Sequence, residues 1–162
     1  MKGFLIALAM IALTVAGSLV LQASVPGARE WIDLYLIVSV YYAISRSRTR
    51  GILMGASAGF AEDIFSSNFL GFHAFVKTGV TYLVGGMGAR FMLNQPVPQV
   101  LALLMATLAD GALAGLLAYM SGLPVHLEPS GLFRRAVANS VVGLAIYRSV
   151  QRRGVRRMAR FS

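Results

Sequence analysis

Apolar residues in this chain fall in long blocks separated by short charged turns. The first block runs from Gly3 to Ala23, behind Lys2. The second runs from Trp31 to about Ser45, and the third from Gly51 to about Phe65. A fourth covers about Leu70 to Ala89, a fifth about Val97 to Met120, and a sixth about Leu132 to Val150. A membrane-crossing helix needs about 20 mainly apolar residues. The pattern therefore predicts an all-α fold, a polytopic membrane bundle of six transmembrane helices. The second block is short, and Trp31 and Tyr35 suit an aromatic belt at its outer end. Residues 1–150 read as one integral membrane domain, and 151–162 as a basic cytoplasmic tail. No fixed-period repeat, low-complexity linker or second domain interrupts the series.

Composition agrees with the blocks. The chain is 57% hydrophobic and 13% charged, with mean hydropathy +0.69, whereas soluble domains carry about 25% charged residues. A net charge of +9 would by itself suggest nucleic acid. Its placement argues instead for topology. Lys2, Arg46, Arg48, Arg50, Arg90 and the tail arginines Arg148, Arg152, Arg153, Arg156, Arg157 and Arg160 fall on alternate block ends, which should face the cytoplasm. Glu30, Asp33, Glu62, Asp63 and Glu128 fall on the other ends, and Asp110 lies inside a block. Both termini are then expected in the cytoplasm. A cleavable signal peptide competes for the first block, although Leu21-Gln22-Ala23 is a poor cleavage site. With no cysteine, disulfides, thiolate nucleophiles and Cys-based metal sites are excluded.

The third block carries Gly51, Gly55 and Gly59 at intervals of four, and the next step lands on Asp63. Residues four apart share a helix face, so the glycines form a groove. In lipid, small residues let helices approach where greasiness attracts nothing. The occupant is either another helix of this chain or a partner. Asp63 reads as a cap or loop anchor, or as an interhelical contact. His73 and Lys77 share a face of the fourth block. With Asp33, Glu62, Asp63, Arg134 and Arg135 they form a candidate outer polar cluster, in which Asp63 or Glu62 is expected to pair with Lys77, Arg134 or Arg135. The alternative is snorkelling of the long basic side chains. Asp110 is too short to snorkel and should face the bundle interior. It is expected to be protonated or bonded to Thr107, Thr81, Asn139 or Ser140, with ion or proton coupling as the other reading. Asn139 and Ser140 read as helix glue.

Catalytic patterns are thin. His73 and His126 are too few and too distant for a zinc site, and no phosphate-binding loop of the G-x-x-x-x-G-K-[ST] type is present. Gly85-Gly86-Met87-Gly88 reads as helix packing. No nucleophile, base and acid share one depth. The expectation is a non-enzyme with no cofactor and no metal.

The order of blocks and the segment from Asp33 to Arg90 resemble the bacterial rod-shape-determining MreD family. The matching features are the acid opening WIDLYLIVSVYYAISRSR, the glycine-rich third block ending in Asp63, the Ser66-Ser67-Asn68 turn, and Phe69-Leu70-Gly71 before the fourth block. Asp63 and Gly71 carry over from the family pattern. Ile32 stands where the family often has Pro. The resemblance implies a non-enzymatic scaffold of the wall-elongation machinery in the bacterial inner membrane. Its implied partners are an MreC-type single-span protein and the peptidoglycan polymerase and transpeptidase. The family is also similar in fold to the substrate-binding subunits of energy-coupling-factor vitamin transporters, which supplies an alternative reading as a small-molecule-binding subunit. The arginine-rich tail suits anionic lipid heads.

Overall fold

A computed structural model of the chain describes residues 2–45, 47–66, 69–88, 95–124 and 128–158. Arg46, Ser67, Asn68, Ala89, Arg90, His126 and Arg160, named above, lie outside the described residues. The described chain is helical, without strands: α1 (Lys2–Ser24), α2 (Ala28–Trp31), α3 (Leu34–Ser45), α4 (Arg48–Phe65), α5 (Phe72–Gly88), α6 (Pro96–Met120) and α7 (Pro129–Met158). Inside hydrocarbon a backbone must satisfy its own hydrogen bonds, and a helix does so within one segment. The elements match the apolar blocks to within a few residues at most ends, with two larger differences. Trp31 belongs to the short α2, set off from α3 by Ile32 and Asp33, and α7 continues past Val150 to Met158.

By length and composition, Leu5–Ser24 of α1 and Val97–Met120 of α6 are long and apolar enough to cross a membrane. Helix α3 is apolar but has 12 residues, or about 18 Å at 1.5 Å per residue. Helices α4 and α7 carry several charges, and α5 has 17 residues. Of the six expected spans, two are by themselves long and apolar enough to cross a membrane.

Interlocking residues give the helix directions. Along α4, Arg48, Gly55 and Gly59 face Gly85, Thr81 and Ala74 of α5, so these two helices run antiparallel. Along α6, Leu103, Thr107 and Gly111 meet Gly143, Asn139 and Leu132 of α7, again antiparallel. Helix α3 lies at the centre. Its Leu36, Ile37, Val40 and Ala43 pack with Val80 and Val84 of α5 and Leu103 and Ala106 of α6. Outside this core large apolar side chains face outward, among them Leu13, Phe75, Leu101 and Val141. Such a surface suits contact with a membrane or another protein rather than water.

The glycine stripe is filled from within the chain. A β-carbon on Gly51 would meet the Ala43 Cα at 2.7 Å. One on Gly55 would press on the Thr81 side chain and the Lys77 carbonyl, and one on Gly59 on the backbone of His73 and Ala74. Helices α3 and α5 therefore occupy the groove. The partner-docking reading has no room at these three positions.

Candidate functional site

The polar residues of the bundle converge on Lys77. This lysine sits on the face of α5 turned toward α3, α4 and α6, and its side chain is 0% exposed. Nζ lies 2.9 Å from Asp33 Oδ2, 2.6 Å from Glu62 Oε2 and 3.6 Å from Asp110 Oδ1. Arg135 reaches in from α7, with Nη2 2.8 Å from Asp33 Oδ2 and 3.8 Å from Asp110 Oδ2. One ionic cluster therefore joins α4, α5, α6, α7 and the residue that opens α3. The lysine does not snorkel, because carboxylates surround its ammonium in the interior.

Asp33 holds the middle of the cluster for a local reason. It precedes Leu34, the first residue of α3, and its Oδ1 accepts the Leu36 N–H at 2.9 Å. That is an N-cap bond, made to one of the first backbone donors that a helix cannot satisfy itself. Capping leaves Oδ2 free for both cations. The Asp33 N–H donates to Asn139 Oδ1 at 2.8 Å, and Asn139 Nδ2 donates to Thr107 Oγ1 at 3.2 Å. The buried amide of Asn139 thus links α3, α6 and α7.

Asp63 acts as a cap, one of the two readings its place at the end of the glycine stripe allowed. Its carboxylate accepts the N–H groups of Gly71 and His73 at 2.9 Å each and of Ala74 at 3.2 Å. His73 Nδ1 also lies 2.9 Å from Asp63 Oδ1; against a carboxylate it donates. A side chain at the end of α4 therefore caps the start of α5, where free N–H groups and the helix dipole favour an anion. Gly71 turns with φ 98°, a left-handed conformation that glycine adopts at little cost. An added β-carbon there would meet nothing within 4 Å, so backbone conformation is the constraint. We expect Asp63→Asn to lower stability by about 1–2 kcal/mol, since an amide offers one acceptor oxygen to donors that share two. Thermal melting in detergent measures this, and Asp63→Ala should melt no higher.

The sequence grouping needs three corrections. Arg134 stands outside the cluster, exposed, with its guanidinium 5.5 Å from the centroid of the Trp31 ring. Of the two acids expected to meet a cation, Glu62 does, with Lys77, while Asp63 pairs with His73 and backbone donors. Asp110 does not bond to Thr107, Thr81, Asn139 or Ser140. Those groups are used elsewhere, and the nearest cations to Asp110 are Lys77 and Arg135. Sequence reading missed the bond between Ser18 Oγ and the Tyr35 hydroxyl at 2.9 Å, which ties α1 to α3; a serine inside an apolar run was the available signal. Glu62 Oε1 lies 3.7 Å from His73 Nε2. Among the described residues, no group of three or more His, Cys, Asp or Glu side chains has metal-holding geometry.

Two cavities flank the cluster. A pocket of about 240 Å³ touches Asp33, Glu62, His73 and Arg135 and is walled by Ser18, Gln22 and Tyr35. A larger cleft of about 810 Å³ lies between α2, the start of α5, α6 and the start of α7. Chemically, the arrangement holds helices together by charge and orders two helix starts.

Comparison with family profiles matches residues 2–148 to the rod shape-determining protein MreD family. The match spans most of the chain, which belongs to that family. Comparisons with curated proteins and with solved structures find no match.

Proposed function

From this membership, we propose that the protein is a non-enzymatic, multi-pass scaffold of the cell-wall elongation complex in the bacterial inner membrane. In this reading it crosses the bilayer six times with both termini in the cytoplasm. It packs against an MreC-type single-span protein and through it helps regulate peptidoglycan synthesis. Membership in a shape-determining membrane family carries the proposal. The site chemistry supports it, because Lys77 and Arg135 pair with Asp33, Glu62 and Asp110 across five helices. The vitamin-transporter alternative gains nothing from the comparisons.

The antiparallel packing of α4 on α5 and of α6 on α7 supports the topology, since it returns the basic ends to one side. The absence of cysteine makes a labelling test simple. Ser121→Cys, at the exposed end of α6, should react with an impermeant maleimide on intact spheroplasts. Ser149→Cys, exposed on α7, should react only after permeabilisation. Labelling of both from outside would defeat the six-span reading. For the scaffold role, tagged protein drawn from native membranes should bring down a single-span wall-elongation protein. It should also restore rod shape to cells lacking their own copy. Recovery without such a partner, in cells that stay round, would defeat it.

A further inference from the structure

The cleft of about 810 Å³ lies beside the ionic cluster and shares Arg135 with it. Its deep wall is made of small residues of α6: Gly111, Ala114, Gly115 and Ala118. These positions share one helix face and extend over about 10 Å at 1.5 Å per residue. Glycine and alanine there create the room; larger side chains would close it. The rim carries charges of both signs. Glu30 on α2 and Glu128 before α7 supply two carboxylates, and Arg134 and Arg135 supply two guanidinium groups. Glu30, Glu128 and Arg134 are exposed. Arg135 gives Nη2 to Asp33, yet its Nε is shielded from solvent and finds no acceptor among the described residues.

We propose that this cleft binds a zwitterionic phospholipid carrying a primary amine. Its phosphate sits at Arg134, in the field of the neighbouring Arg135, its ammonium at Glu30 and Glu128, and the first methylenes of its chains lie on the small-residue wall. Each part answers one feature of the cleft. An anionic headgroup would meet both carboxylates without a cation to offer them. An apolar helix from another protein would leave all four rim charges without partners, and the wall is far shorter than the roughly 30 Å of a crossing helix. The volume falls within the range of about 300–1,000 Å³ typical of small-ligand sites. The inference requires only that the chain lies in a bilayer, and it is independent of any protein partner.

The test uses the full chain in detergent, with phosphatidylethanolamine or phosphatidylglycerol added and retained lipid counted by native mass spectrometry. The wild type should retain phosphatidylethanolamine about fivefold more tightly than phosphatidylglycerol, the size of one good exposed ion pair. Glu30→Gln with Glu128→Gln should erase that preference. Arg134→Gln should weaken retention of both lipids, and Ala118→Trp should abolish it by filling the wall. The three charge positions are exposed, so melting temperatures of those variants should match the wild type. Equal retention of the two lipids by the wild type overturns the proposal. So does undiminished phosphatidylethanolamine retention by both Arg134→Gln and Ala118→Trp, which would leave the cleft to a partner helix.

Discussion

Lys77→Met should destabilise the protein by about 3–5 kcal/mol, the cost of removing one partner from a buried ion pair. Methionine keeps most of the side-chain volume, so packing changes little and the loss isolates charge. In the wild type, Asp33, Glu62 and Asp110 are set against Lys77 and Arg135. Without the lysine, three buried acids keep Arg135 as their only fixed positive charge among the described residues. A buried ion pair is weak evidence of net stabilisation over an apolar pair, yet breaking one is expensive. The variant should melt well below the wild type in detergent and accumulate poorly in membranes. Adding Glu62→Gln should recover part of the loss, because it removes a carboxylate left without its cation 2.6 Å away. A coupling of about 0.5–3 kcal/mol is expected in such a double-mutant cycle. If Lys77→Met melts with the wild type, the cluster is not what holds these helices.

The second large effect is expected at Gly59. A methyl group here would meet Ala74 Cα and N at 2.6 Å and press on the His73 carbonyl. These are backbone atoms, so no rotamer change relieves the clash; α5 has to move. Movement there would also pull the start of α5 away from the Asp63 carboxylate that caps it. Gly59→Leu should therefore cost more than the ordinary 1–3 kcal/mol or so of an overpacked core, and Gly59→Ala should be clearly destabilising. Gly86 is the control. Its added methyl would touch only the far end of Arg48, with Nη2 at 3.7 Å. Gly86→Ala should be neutral or gain up to about 0.5–1 kcal/mol from helix propensity. Melting curves of the two alanine variants decide the matter: equal shifts would mean the α4–α5 approach is looser than the structure has it.

Much of the cluster membership was legible and its pairing was not. Asp33, Glu62, Lys77 and Arg135 stood out as charges at or inside apolar blocks, which is a local property. Which acid meets Lys77 is not local. Arg135 and Asp33 are 102 residues apart and Lys77 and Asp33 are 44 apart, and only the packing of five helices brings them together. Arg134 and Arg135 look equivalent in sequence. Adjacent residues on a helix point about 100° apart, so one enters the cluster and the other lies by Trp31. Asp110 looked solitary because its neighbours on α6 are apolar; its cations come from α5 and α7.

By itself the order of residues determined that the chain is helical, where most helices lie and which face of α4 is bare. Those depend on run length, on glycine spacing and on charges a few positions away. Tertiary structure alone decided that α5 and α3, not a partner, fill the glycine groove, and that Asp63 caps the next helix. It also placed Lys77 where three carboxylates reach it. Side-chain charge acts over a few ångströms in space, and a linear sequence records distance only along the chain.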